Sequence, residues 1–248
     1  MRETPRLAAV VAYHLHDWGR RPGTRGAVAL AAGLVAVRAL TTGRPAASLF
    51  RAVLGGPAVA VLNGHIVIGP GWTWFLTGVL FVVSGVGVMD RDAAWTRLAL
   101  TRRVSRRQWI AARLLALALG AVGFLTLLLL LLAAVVMIHP QSGPLFTAPI
   151  VWDVGLWALG LIALAWTAQA FTLVTRTGWW SLAGPLVLLG LARFGGSLSP
   201  YLPFAQWMVG LHDLPGTLSV TAGAIYVALW VSTAAVLSLG VGRAYLGC

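Results

Sequence analysis

Long apolar runs separated by short polar interruptions make up most of the chain. The runs are continuous and do not alternate with a period of two, which favours helices over the strands of a membrane barrel. Most approach or exceed the roughly 20 residues that cross a hydrocarbon core of about 30 Å. We interpret six of them as membrane-spanning helices, at 26–42, 71–89, 108–138, 151–175, a fifth that follows Trp179 and Trp180 and ends near residue 191, and 218–241.

Three further segments have weaker patterns. Residues 1–25 place apolar side chains at intervals of three and four between arginines, which predicts an amphipathic helix at the inner membrane interface. Residues 43–70 are rich in glycine and proline, and the apolar pieces 48–54 and 58–68 are interpreted as interfacial helices. If the second piece spanned the membrane, the topology after it would invert. Residues 194–217 are aromatic but interrupted by prolines, which predicts a pair of short outer re-entrant helices.

Composition agrees with a membrane protein. Of the 248 residues, 59% are hydrophobic and 10% are charged, and the mean hydropathy is +0.86, more apolar surface than a soluble fold can bury. We therefore predict an all-α polytopic membrane protein, with residues 1–248 forming a single transmembrane domain. Its N-terminal helix would be interfacial, and both termini would lie in the cytoplasm.

The formal net charge is +12, and the positive charge comes entirely from arginines, against six acidic residues. In the predicted topology, all but four of the 18 arginines fall on or near the cytoplasmic side, as the positive-inside rule requires, so no nucleic-acid partner is expected. The exceptions are Arg38, Arg44, Arg51 and Arg193. Arginine without lysine is typical of GC-rich bacteria, so we expect a bacterial cytoplasmic membrane. The single cysteine, Cys248, excludes an intramolecular disulfide.

A charged hinge runs directly into the longest apolar run. Residues 90–107 contain two aspartates and six arginines between short apolar positions, and the run 108–138 follows at once. A helix over 108–138 would be about 46 Å long, longer than the hydrocarbon core of about 30 Å. Part of this helix should therefore project from the membrane on the arginine-rich side, where the hinge could contact a soluble protein.

The sequence lacks the common catalytic and metal-binding motifs. It contains no GxxxxGK[ST] loop for nucleotide phosphates and no HExxH or CxxC metal motif. Polar residues inside the spans are few. Gln169 and Thr167 could line a substrate path, although an interhelical hydrogen bond is the other use of Gln169. Arg38 could attract an anionic group of a substrate or extend to the outer interface.

The hinge resembles that of the permease subunits of type 2 ATP-binding-cassette exporters, the ABC-2 family. That family carries a stretch resembling E-R-x-x-G-T-L-E-x-L-L-x-x-P-V-S-R between its second and third spans, followed by an apolar helix that begins near a G-K pair. Here Asp90, Arg91 and Asp92 match the acidic start, Leu98 and Leu100 the leucine pair, Val104, Ser105 and Arg106 the V-S-R, and Ala112 and Arg113 the G-K position. The departures are Ala94, Trp95, Arg97 and Arg103.

The resemblance implies a half-transporter that exports a hydrophobic or amphipathic substrate such as a drug, a peptide or a lipid-linked molecule. Its partners would be a separate ABC ATPase subunit, a second permease chain and the membrane lipid. The chain itself would bind no cofactor, and ATP and magnesium would bind in the partner ATPase. The coupling helix would contain the residues Asp90, Arg91, Asp92, Trp95, Leu98, Arg103, Val104, Ser105 and Arg106.

Two other classes of function are open at this point. A membrane enzyme would be favoured if His65, His139, Asp153 and His212 met at the outer face, but they are scattered in the sequence. A non-transporting scaffold or sensor would use the hinge only to recruit a partner. The missing nucleotide-binding motifs favour a permease that is not itself an enzyme.

Overall fold

Six helices and one short hairpin make up the described part of the chain. The computed structural model describes residues 7–42, 59–62, 65–68, 70–86, 104–138, 148–175, 183–184, 186–187 and 220–245. The elements are α1 (Leu7–Arg20), α2 (Pro22–Thr42), β1 (Val59–Leu62), β2 (His65–Ile68), α3 (Pro70–Val86), α4 (Arg106–Ile138), α5 (Ala148–Thr175) and α6 (Val220–Tyr245).

The N-terminal segment forms two helices with a sharp elbow between them. α1 ends at Arg20, and α2 begins at Pro22, whose ring fixes a helical φ and is tolerated in a first turn. The residue before a proline is disfavoured in helical conformation, which explains the break at Arg21. The amphipathic pattern predicted for residues 1–25 is present, because Val10, Val11 and Trp18 are buried.

Helices α2, α3, α4 and α5 form a bundle in which the starts of two helices lie beside the ends of the other two. Thr24, near the start of α2, contacts Ser84, near the end of α3. Arg113, near the start of α4, contacts Gln169, near the end of α5, and also the end of α3. The starts of α2 and α4 therefore lie beside the ends of α3 and α5. We call this end of the bundle the basic end, because it carries the arginines at 20, 21, 25, 106, 107 and 113.

Within the part of the chain that the structure describes, three helices are long and apolar enough to cross a membrane: Arg107–Ala134, Trp157–Thr175 and Ala224–Val241. The apolar stretch Pro22–Val37 is shorter. Membrane character is thus supported, whereas the six spans remain a prediction. The fifth span is described only at residues 183–184 and 186–187, and the predicted re-entrant segment and Cys248 lie outside the described residues.

The exposed face of α4 is apolar over the thickness of a membrane. Its exposed side chains from Leu115 to Met137 recur at intervals of three and four residues, so they form one stripe. The stripe is about 33 Å long, close to a hydrocarbon core of about 30 Å. Residues 106–114 precede the stripe and extend about 13 Å further at the basic end. The predicted projection of this helix from the membrane is consistent with that geometry.

One helical expectation was wrong. The piece 58–68, interpreted as an interfacial or spanning helix, contains the antiparallel hairpin of β1 and β2, with Leu62 paired to His65. The sequence explains this, because β-branched and apolar residues flank Asn63-Gly64, and Asn-Gly is the strongest two-residue hairpin signal. The other expected interfacial piece, 48–54, lies outside the described residues.

Candidate functional site at the basic end

Most of the predicted coupling helix lies outside the described residues. Asp90, Arg91, Asp92, Trp95, Leu98 and Arg103 belong to this undescribed group. The structure does describe the two elements that flank the hinge, since α3 ends at Val86 and α4 begins at Arg106. Val104 and Ser105 are described just before α4. The two ends of the hinge can therefore be located.

Val104 and Ser105 lie just before helix α4 and stabilise its first turn. The Ser105 hydroxyl accepts a hydrogen bond from the Gln108 backbone N–H at 3.2 Å, and the Ser105 backbone N–H donates to Gln108 Oε1 at 3.1 Å. This reciprocal pair is a capping box, and N-cap side chains contribute about 1 kcal/mol. Val104 and Trp109 are both buried in the same apolar cluster, at the spacing of a hydrophobic staple. The V-S-R residues thus have a local structural role, whatever they contact in a partner.

Helix α1 packs along the first three turns of α4. Val10 and Val11 share an apolar cluster with Val104 and with Trp109, Ala112 and Ala116 of α4. The His14 and Trp109 rings meet edge to face, with centroids 4.6 Å apart. The start of α4 is therefore held by α1, so a displacement of one helix would move the other.

His14 is buried in this contact and is held neutral. Its side chain is 8% exposed, and within the described part of the chain its Nε2 atom has no hydrogen-bond partner. The pKa of His14 is lowered from 6.5 to about 3, chiefly by burial and also by the charges of Arg113 and Arg21, against the opposing effect of Asp17. The neighbouring histidine, His16, lies on the exposed side of α1.

We expect acidification to destabilise the protein through His14. Below pH 6.5 the unfolded chain binds a proton at His14, whereas the folded chain does not until about pH 3. Unfolding therefore takes up a proton in this window, and each pH unit below 6.5 costs up to about 1.4 kcal/mol of stability. Thermal unfolding of the detergent-solubilised chain from pH 7.5 to 5 measures this loss. His14→Phe should remove most of the dependence of the unfolding midpoint on pH, whereas the exposed-site control His16→Phe should keep it. Equal dependence on pH in the two variants would contradict the role given to His14.

Arg113 connects three helices at the basic end. It is 5% exposed, and its Nε donates to Gln169 Oε1 on α5 at 2.8 Å. Its Nη2 donates to the carbonyl oxygens of Gly85 and Val86, both at 3.1 Å, at the end of α3. A cation at the carbonyl end of a helix also interacts favourably with the helix dipole. Arg113 therefore links the end of α3, where the hinge begins, to α4, where the hinge leads, and to α5.

Trp18 fills a notch between α3 and α4. A Cβ atom at Gly85 would lie 2.4 Å from Trp18 Cε2, and one at Gly120 would lie 1.9 Å from Trp18 Cζ3. The indole Nε1 donates to Ser84 Oγ at 3.1 Å, and the Ser84 hydroxyl also lies 2.8 Å from Thr24 Oγ1. The elbow between α1 and α2 is thus fixed to the bundle by one large side chain. Ser84 and Gly85 are the small residues that permit this close contact.

A small polar cavity lies between these two contacts. Its volume is about 10 Å³, enough for about one water molecule. Asp17 and Arg21 form an ion pair one turn apart on its lining. The complete lining is His14, Asp17, Trp18, Arg21, Gly85, Arg113, Ala116 and Leu117. The ionisable groups of α1 therefore meet the buried arginine of α4 at the point where the hinge is attached.

Two of the three predicted substrate-path residues, Gln169 and Thr167, are buried between helices. Gln169 is fully buried and accepts the hydrogen bond from Arg113, which is the interhelical use anticipated for it. Thr167 is buried, and its hydroxyl has no hydrogen-bond partner within the described residues. Arg38 lies on α2, and its side chain is outside the description. Gln169 therefore serves the basic end rather than an open path.

The sequence offered only partial signals for this site. Arg113 was aligned with the lysine of the family's G-K pair, but its burial and its three partners could not be read from spacing. Trp18 follows the three- and four-residue spacing of apolar side chains in residues 1–25, whereas Gly120 has no distinguishing signal in the sequence. For the suggested enzyme site, only His65 and Asp153 lie within described elements, and among the residues that the structure describes no cluster of metal-ligating side chains is found.

Comparison with known proteins gives no matching family model and no matching curated protein. The resemblance of residues 90–106 to the ABC-2 hinge stays a prediction. The function is therefore inferred from the hinge sequence together with the geometry of the basic end.

Proposed function

We propose that the chain is the permease subunit of an ABC-2 type exporter, powered by a separate ATPase. The observation that carries the proposal is the attachment of the hinge. Arg113 lies on α4, which starts at Arg106, and it bonds the carbonyl groups of Gly85 and Val86 at the end of α3. The two helices on either side of the segment that resembles an ATPase-binding motif are therefore bonded to each other through one buried residue.

The projecting start of α4 supports the same role. It extends about 13 Å beyond the lipid-facing stripe and begins with a capped, stapled turn at Val104 and Ser105. Positive-inside bias favours placing the basic end in the cytoplasm, where an ATPase would be. In this topology six spans bring both termini to the cytoplasm.

The mechanism follows from rigid connections at the basic end. The short hinge helix, with Trp95 and Leu98 on one face, would insert into an apolar groove of the ATPase. Dimerisation of two ATPase subunits on binding ATP would bring two such hinges together, with two permease chains facing each other. Arg113 would pass the displacement to α3 and α5, and the α1 contact would carry it to the elbow. The path between the permease chains would then reopen outward.

The apolar interior of the helices bears on the class of substrate. Among the described residues the interior of the bundle is apolar, with buried polar side chains such as Gln169 and Thr172 bonded within the protein. Such an interior favours a hydrophobic or amphipathic substrate over an ion. The substrate would be a drug, a peptide or a lipid-linked molecule.

A coupling variant tests this function. Replacing both Trp95 and Leu98 with alanine should remove the apolar contact with the ATPase, so substrate should no longer stimulate ATP hydrolysis in the reconstituted complex. A matched control replaces two exposed residues of the lipid-facing stripe, Leu119 and Leu130, with alanine and should retain stimulation. Unchanged stimulation in the hinge variant would contradict the proposal.

A further inference from the structure

An open apolar crevice lies between the α1–α2 elbow and α4. Its volume is about 480 Å³, within the range of about 300–1,000 Å³ that is typical of small-molecule sites. Trp18, Phe81 and Phe124 are buried and form its floor, with the two phenyl rings stacked 4.4 Å apart. The crevice is therefore a groove whose floor consists of buried, packed aromatic side chains.

The mouth of the crevice opens on the surface that faces lipid. Ala29, Gly123 and Leu127 line it and are exposed, and Leu127 belongs to the same face of α4 as the apolar stripe. From Leu115, where the apolar stripe begins, to Leu127, α4 rises about 18 Å, so the crevice reaches slightly past the middle of a hydrocarbon core of about 30 Å. That depth matches one acyl chain of the leaflet at the basic end.

The polar end of the crevice carries a positive charge. Arg25 lines it and is exposed, and its Nε donates to the Gly19 carbonyl at 3.3 Å. Arg21, one turn earlier, is paired with Asp17, whereas no carboxylate within the described residues forms an ion pair with Arg25. Arginine at a membrane interface attracts anionic headgroups.

We propose that this crevice binds one anionic phospholipid, with an acyl chain on the aromatic floor and the headgroup phosphate at Arg25. The charge of Arg25 gives preference for an anionic over a zwitterionic headgroup, and the depth of the crevice suits a chain rather than a headgroup. The lipid would lie against Trp18, whose side chain fixes the elbow to the bundle. This site does not depend on the proposed export function.

Native mass spectrometry of the detergent-purified full chain tests the site with two lipids of identical acyl chains. Phosphatidylglycerol should bind about five-fold more tightly than phosphatidylcholine, the factor expected from one arginine. Arg25→Gln should bring the two affinities together. Gly123→Leu should weaken both lipids about ten-fold by filling the crevice. A Cβ atom at Gly123 meets nothing within 4 Å, so the variant should still fold.

The matched control is Gly155→Leu, an exposed glycine on α5 with equal space around it, which should bind both lipids as the native chain does. Equal affinity of the native chain for the two lipids would overturn the headgroup assignment. Unchanged lipid binding in Gly123→Leu would overturn the site. If that variant instead lost a dimer while lipid binding persisted, the crevice would belong to a contact with a second copy.

Discussion

Replacing Gly120 with leucine is expected to lower the unfolding midpoint of the detergent-solubilised chain by roughly 6–12 °C. The Trp18 ring occupies the space where a side chain at this position would lie, because a Cβ atom would be 1.9 Å from Cζ3. Trp18 cannot simply rotate away, since its Nε1 is bonded to Ser84 and its ring packs on Phe81 with centroids 4.6 Å apart. Overpacking of this kind costs about 3 kcal/mol.

Gly123→Leu is the matched control for Gly120→Leu. It lies one turn further along the same helix, and nothing is within 4 Å of its added Cβ atom. Its midpoint should stay near that of the native chain. Adding Trp18→Leu to Gly120→Leu should recover part of the loss, because the smaller side chain frees the notch. Equal midpoints for the Gly120 and Gly123 variants would show that the elbow does not pack as described.

Removing the contact between Arg113 and Gln169 is the second change with a large expected effect. Gln169→Leu removes the Oε1 acceptor that Arg113 Nε bonds, and Arg113→Met removes this donor from Gln169 Oε1 and from the end of α3. Hydrogen bonds to charged groups contribute about 1.5–3 kcal/mol, and stranding a buried charge costs more. We expect each single variant to lose about 3 kcal/mol, measured by thermal or denaturant unfolding in detergent.

The double variant identifies the pair. Arg113→Met with Gln169→Leu removes both polar groups, so its loss should be smaller than the sum of the single losses by about 1–3 kcal/mol. Gln169→Glu should retain stability, because a carboxylate also accepts from a guanidinium. Thr126→Val is a suitable control, since Thr126 is exposed and bonds only its own helix, at the Val122 carbonyl. Strictly additive losses would mean that the two side chains act independently.

The long helices could be predicted from the sequence because their apolar runs end at charge, glycine or proline. The span predicted over 108–138 is α4, Arg106–Ile138, and that over 151–175 is α5, Ala148–Thr175. α4 starts two residues earlier than predicted because of the capping box of Ser105 and Gln108. This signal is present in the sequence, where Ser105 is interpreted as part of the coupling motif. The ends of helices thus depend on local hydrogen bonds that apolarity alone does not indicate.

The packing at the basic end could not be predicted in the same way. Residues 113 and 169 are 56 positions apart, and an apolar run on all sides of a helix does not indicate which face meets which neighbour. The notch for Trp18 requires two glycines on different helices, and each alone is ordinary in a membrane helix. The hairpin of β1 and β2 had a clear signal in Asn63-Gly64, but the surrounding apolar residues favoured a helical interpretation.

The central claim is that a separate ATPase binds this chain at its hinge. The most direct test is purification of the tagged chain from its native membrane in mild detergent, beside the variant carrying both Trp95→Ala and Leu98→Ala, with identification of every co-purifying protein. The account predicts that a P-loop ATPase accompanies the native chain and is lost from the variant. Recovery of no such ATPase with the native chain, from membranes in which its neighbours are expressed, would contradict it.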